Sequence, residues 1–156
     1  MDALDRKILH ALQKDARVKN ADLARQLGVA PSTMLERIRR LEERGYFSGF
    51  KAIVNPEKLG LGVQALICVS LGQHSTKTIQ PFEQAVNSIP NIMVCYHVTG
   101  RFDYMLHVVA KNLKELGILV KEQIASLPGV GKTETFLVFS EIKNDNGYPL
   151  GEAEEP

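Results

Sequence analysis

Apolar residues in the first fifty positions recur at three- and four-residue spacing, the period of helices with one buried side. Leu4, Ile8, Leu9 and Leu12 form one stripe, Leu23, Ala24 and Leu27 a second, and Met34, Leu35, Ile38 and Leu41 a third. The punctuation between them is specific. Asn20 suits an N-cap, Gly28 can take the left-handed conformation that ends a helix, Pro31 fits the first position of the next, and Gly45 ends that one. Two short helices joined by a tight turn, covered by a third, make a helix-turn-helix. Its second helix is shaped to enter the major groove of DNA.

The polar side of that second helix carries the candidate chemistry. Thr33, Glu36, Arg37, Arg40 and Arg44 follow helical spacing on the outward face, with Ser32 and Arg39 beside them. Arginines can grip guanine bidentately and hydroxyls can hold phosphate. Ser32, Thr33, Glu36, Arg37, Arg39 and Arg40, with Lys51 downstream, are the DNA-binding candidates. The bland alternative is a solvated helix face whose arginines are balanced by Glu42 and Glu43. Charge distribution favours nucleic acid, since residues 1–51 carry net +4 and residues 52–156 net −3.

The period changes after Gly45. Phe47–Val54 alternates as a strand would, and residues 55–62 read as a linker. From Val63 a strand-helix-strand pattern appears twice, offset by 38 residues, with helices near Thr78–Ile89 and Leu113–Leu127. Two such units predict a ferredoxin-like βαββαβ sandwich and an α+β chain. The expected organisation is a helix-turn-helix domain at 1–54, a linker at 55–62, a ferredoxin-like domain at 63–143 and a flexible tail at 144–156. Strand alternation puts Val63, Ala65, Ile67, Val69, Ile92, Val94, Tyr96, Val98, Leu106 and Val108 on the helix side of the sheet. Gln64, Leu66, Cys68, Ser70, Met93, Cys95, His97, Met105, His107 and Val109 then share the other face. That second face is too apolar for water and too polar for a simple core, which predicts sheet-on-sheet dimerisation.

Composition narrows the classes. No run of about 18 apolar residues marks a membrane span, and no signal-like stretch opens the sequence, so a cytoplasmic protein is expected. Cys68 and Cys95 sit in strand-like runs and read as reduced core thiols. No Ser/His/Asp order, phosphate-cradling loop or paired carboxylates argue for catalysis, and no cofactor is implied. An enzyme reading survives only through Cys95, His97 and His107, which a hairpin could bring together around a metal. The two histidines and a thiol lack close zinc-ligand spacing.

The order LDRKILHALQKDARVKNADLARQLGVAPSTMLERIRRLEERG, NPEKLGL, VTGRFDYML, then LPGV with TETFLVFSEIK resembles the Lrp/AsnC family of prokaryotic transcription regulators over residues 2 to about 143. The resemblance implies a winged helix-turn-helix, a C-terminal ligand-sensing RAM domain, and homodimers that assemble further, commonly to octamers. It implies double-stranded DNA and a small-molecule effector, usually an amino acid, as partners. The family's effector site lies around the turn between the middle strands, here Gly100, Arg101, Phe102, Asp103 and Tyr104. By motif position, Thr135, Phe136, Leu137 and Val138 on the last strand, with Leu113 and His97, are weaker candidates for it. The residues themselves leave two readings open. Asp103 is either a carboxylate for an α-ammonium group or an ordinary turn residue that satisfies backbone N–H groups. Two positions depart from the family's habit: Arg101 stands where an acidic or small residue is common, and Ala30 where Ser usually precedes the helix proline.

Overall fold

The computed structural model describes residues 1–73, 75–143 and 147–151. It divides into two units, one made of Met1–Ile53 with the segment from Lys143 onward, the other of Val54–Ile142.

The first unit contains α1 (Ala3–Lys14), α2 (Asn20–Gln26) and α3 (Pro31–Glu43). A capping box starts α1: the Asp5 N–H donates to the Asp2 carboxylate at 2.8 Å and the Asp2 N–H to the Asp5 carboxylate at 3.2 Å. Two orphan amide donors are thereby satisfied. Gly28 and Gly45 end their helices at φ +69° and +71°, and Pro31 opens α3 behind Ala30, whose methyl offers no cap. Asn20 is not the cap of α2; Lys19 is, and it makes no side-chain bond there. Ile8, Leu9, Leu23, Ala24, Met34 and Leu41 form the core. Leu35, expected among them, is 57% exposed. Met34, Ile38 and Leu41 already fill the inward stripe, and Leu35 lies about 100° around the helix from Met34.

The alternating stretch Phe47–Val54 forms no strand, so no paired wing occurs among the described residues. The Phe47 and Phe50 rings lie 5.4 Å apart, and Ile53 is 93% exposed. Phe47 does pack against the helical core. Of the stretch expected to be a flexible tail, residues 144–146 and 152–156 lie outside the described residues. Residues 147–151 lie along α1, where the Gln13 amide accepts from the Tyr148 N–H at 2.6 Å and donates to the Tyr148 carbonyl at 3.2 Å. Arg6 donates to the Leu150 carbonyl, and the Leu150 side chain packs on the helical core.

The second unit runs β1 (Val63–Leu71), α4 (Thr76–Val86), β2 (Ile92–His97), β3 (Tyr104–Ala110), α5 (Leu113–Ile118) and β4 (Val130–Leu137), a βαββαβ order. The strands form one antiparallel sheet in the order β2-β3-β1-β4. Beyond Ile118 the helix widens into a π-helical stretch, Leu119–Ile124, and Ala125 bonds five residues back to Val120 at 2.8 Å. Ala65, Ile67, Val69, Leu106 and Val108 are completely buried beneath Phe82 and Val86 of α4, Leu116 of α5 and Ile124. Each large side chain so buried contributes about 1.5–3 kcal/mol relative to exposure.

β2 departs from the expected alternation. Ile92 pairs with Val108, but Val94 pairs with His107 and Cys95 with Leu106, so the ladder slips by one residue between them. A one-residue bulge exchanges the faces of everything beyond it. Val94 and Tyr96 therefore share the open face with His107 and Met105, while Cys95 and His97 stand on the helix side opposite Leu106 and Tyr104. Cys95 is exposed at this edge, whereas Cys68 is buried and burial pushes its thiol pKa up. The slip also separates the suggested metal constellation. His97 stacks on Tyr104 at 4.8 Å on the helix side, whereas His107 shares a 2.9 Å hydrogen bond with Gln64 on the other. Among the described residues, no three His, Cys, Asp or Glu side chains are grouped to hold a metal.

Candidate functional sites

The face of α3 is divided between two tasks. Arg37 pairs with Asp2 and, at 2.8 Å, with Asp5, and Arg40 reaches both Asp5 carboxylate oxygens at 3.4 Å. Asp5 is buried on α1, so the two arginines turn toward that helix rather than straight outward as their spacing suggested. Burial alone would raise the Asp5 pKa. The Asp2 amide and the Arg37 guanidinium outweigh it and hold the carboxyl below its ordinary value. The Arg37 hydrogen bond likewise lowers Asp2, and both carboxylates raise the pKa of Arg37. This ion cluster fixes α3 on α1.

Outward on α3 stand Ser32, Thr33, Leu35, Glu36 and Arg39, all exposed, followed by the exposed Glu42 and Glu43 in its last turn. Ser32 lies three and four residues before Leu35 and Glu36, and Arg39 four and three after them, so they form one patch. Arg39 meets Glu43 at 3.4 Å in an exposed pair, which water screens. Lys51 is exposed in the segment after Gly45. The sequence reading missed Leu35 as a surface residue and Asp5 as the anchor. The Asp2-to-Asp5 spacing of a capping box was the available signal for the anchor.

At the other end of the molecule's chemistry, the turn between β2 and β3 closes over the end of β1. The Val98 N–H donates to the Asp103 carbonyl at 2.8 Å and the Asp103 N–H to the Val69 carbonyl at 2.9 Å. The β1–β3 ladder stops at Val69 and Tyr104, and there the Asp103 carboxylate accepts the Leu71 N–H at 2.7 Å. Asp103 thus performs the backbone-satisfying task of a turn aspartate. Gly100 adopts φ +119°, open to glycine and strained for any other residue. Arg101 stacks over the Phe102 ring at 4.6 Å and meets Glu134 at 3.0 Å, and Glu134 also accepts from Lys132 at 2.9 Å. Lys132 and Arg101 hold the Glu134 carboxyl below its ordinary pKa.

Other expected members of this site stand elsewhere. Tyr104 is buried on the helix side, where its hydroxyl donates to Glu83 at 2.8 Å; burial and that carboxylate push its pKa up to about 12. Thr135 and Leu137 are exposed on the edge strand, opposite Ile67 and Ala65, on the face away from the Arg101–Glu134 pair. Phe136 lies on the open face with Leu66, and Leu113 is exposed at the start of α5. One chain therefore brings together Gly100, Arg101, Phe102, Asp103 and Glu134, but not Tyr104, Thr135 or Leu137.

Residues 1–42 match the AsnC-type helix-turn-helix domain and residues 64–148 the Lrp/AsnC ligand binding domain. The leucine-responsive regulatory protein of Escherichia coli K12 is 35% identical over 146 residues, covering 94% of this chain and 89% of that protein. A transcriptional regulator from Neisseria meningitidis, solved as a complex with L-Met, superposes with a TM-score of 0.92 at 31% identity, covering 96% of this chain and 97% of that one. The AsnC protein of E. coli superposes with a TM-score of 0.84 at 28% identity, over 94% of this chain and 99% of that one. With both domain types matched in order along a helical and a βαββαβ unit, the chain belongs to the Lrp/AsnC family of transcriptional regulators.

Proposed function

We propose that this regulator is a cytoplasmic, non-catalytic protein that answers to an amino acid bound at the turn Gly100–Tyr104, and that it works as a dimer assembling further. The observation that carries the effector reading is the convergence at that turn of a carboxylate, Asp103, a guanidinium, Arg101, and the left-handed Gly100. An amino acid offers the complementary ammonium and carboxylate groups. The L-Met complex of the Neisseria relative supports this class of ligand. Thr135 and Leu137 join the pocket from a neighbouring copy, consistent with their exposure on an edge strand. A ligand that prefers one assembly shifts the protein towards it by its differential affinity.

The dimer reading rests on the open sheet face, where Leu66, Met105, Val94, Tyr96 and Phe136 lie beside Gln64, His107 and Glu134. A second sheet of the same kind would cover it. On DNA, Ser32, Thr33, Glu36 and Arg39 meet the major groove and Lys51 the backbone. Arg37 and Arg40 set the angle of α3 and give their outer donors to phosphate.

Asp103→Asn tests the sensor, since it keeps an acceptor for the Leu71 N–H while removing the charge. Thermal-shift screening of the twenty amino acids against the wild type identifies the ligand, and calorimetry on the variant follows. Affinity should fall by roughly tenfold to a hundredfold, the worth of a charge-assisted hydrogen bond, with basal DNA binding unchanged. Wild-type affinity in the variant would move the pocket elsewhere. A wild type that responds to no amino acid would favour an architectural DNA-binding protein, for which the engagement of Asp103 with Leu71 is the supporting observation.

A further inference from the structure

We infer that Leu35 reads thymine methyl groups in the major groove, so that α3 selects sequence partly by an apolar contact at one flank of its outward face. This rests on the reading of α3 as the DNA-facing helix and names what that face recognises.

Leucine is unusual where it stands. It is 57% exposed in a unit that has buried Met34 and Leu41 on the same helix almost completely. No rearrangement of the inward stripe has room for it, because Met34, Ile38 and Leu41 occupy that side and Leu35 points about 100° away. Its neighbours at helical spacing are Pro31 and Ser32 before it and Ile38 and Arg39 after it, and Glu36 adjoins it. Ser32, Glu36 and Arg39 thus border an apolar side chain on its outer side. Two of the arginines that could otherwise dominate this face, Arg37 and Arg40, are engaged by Asp2 and Asp5. Base-edge chemistry is left to Ser32, Thr33, Leu35, Glu36 and Arg39.

The major groove offers an apolar side chain one kind of partner among the four bases. Guanine shows acceptors, cytosine a donor, adenine an acceptor and a donor, and thymine an acceptor with its C5-methyl group. A leucine pressed against guanine or cytosine leaves polar groups without partners, whereas against thymine it buries a methyl and its own surface together. Glu36 beside it suits a cytosine amino group. The outward face therefore fits a short element in which thymine lies next to a C·G pair.

The test uses the full-length protein. Duplexes are selected from a random pool with the wild type, and in the tightest of them each thymine is replaced singly by deoxyuracil, which removes the methyl and nothing else. Binding to one or two positions per half-site should weaken about fourfold, the worth of one buried methyl. In Leu35→Ala those same positions should become indifferent to the methyl, while the dependence of affinity on salt stays as in the wild type because no phosphate contact is lost. Circular dichroism confirms the helix, which an exposed Leu-to-Ala change leaves intact. Wild-type indifference to every uracil substitution overturns the inference. So does methyl sensitivity that persists in Leu35→Ala, including the case where that variant changes only self-association by sedimentation. Failure to select any duplex at all would instead overturn the reading of α3 as the DNA-facing helix.

Discussion

The two units solve the problem of a small core in opposite ways. The helical unit buries six apolar side chains and completes its packing with charge, through Asp5 between Arg37 and Arg40, and with residues 147–151 laid along α1. The sheet unit gathers fifteen of its described residues into one core cluster and has hydrophobic material to spare, which surfaces on its open face at Tyr96, Val94 and Phe136. One unit is short of apolar surface and borrows polar fastenings, and the other carries an excess on its surface. The difference leaves the helix-turn-helix on the unit with the thinner margin and the exposed apolar face on the unit with the thicker one.

The largest effect should come from cutting into the smaller core. Ile8→Ala removes a fully buried side chain and costs about 2–5 kcal/mol, enough to unfold the helical unit while the sheet unit melts as before. Calorimetry should show a lowered first transition and an unchanged second. A single transition lowered as a whole would show that the two units share one cooperative core.

Asp5→Ala comes next, at about 2 kcal/mol, because hydrogen bonds to charged groups are lost together with the half of the capping box in which the Asp2 N–H donates to Asp5. The pH dependence follows from the same cluster. The folded-state pKa of Asp5 and of Asp2 lies below the unfolded value near 3.9, so their contribution is present above about pH 4 and disappears as pH falls through the depressed folded values. Acid titration should loosen the helical unit in the wild type and do so less in Asp5→Ala. An identical acid profile in both would mean that the ion cluster does not hold α3.

The smallest effect tests the sheet unit's own polar fastening. Tyr104→Phe should cost about 1 kcal/mol by losing the hydrogen bond to Glu83. The wild-type phenol ionises near 12 in the folded state against about 10 unfolded, so its stabilisation is complete below pH 10 and is lost as pH rises towards 12. The variant should lack that alkaline loss when unfolding is followed in denaturant between those pH values.

How much of this was legible in the sequence depended on whether a feature was local. The three helices, the left-handed glycines at 28 and 45, Pro31 and the double βαβ pattern were readable, since period and punctuation are local signals. The outward direction of Arg37 was misread because a helical wheel cannot tell which flank of the polar side meets another helix; that depended on Asp5, thirty-two residues away. The faces of β2 were inverted because one extra residue between Ile92 and Val94 leaves the alternation itself intact. The turn at Gly100–Asp103 was legible as a hairpin, but its tie to Leu71 was not, being set by where the β1–β3 ladder stops. Tyr104 was grouped with the turn by adjacency, whereas its place opposite Val69 turns it into the core.

The return of residues 147–151 to α1 has a consequence for how the protein is made. The sheet unit, Val54–Ile142, is an insertion within the helical one, whose two parts flank it in sequence. On the ribosome the DNA-facing helices emerge first, but Leu150 and the backbone of Tyr148 that finish their packing emerge after the whole sheet. Vectorial synthesis therefore presents the sheet unit before the segment that finishes the helical packing, so the helical unit completes its packing only after the sheet has emerged.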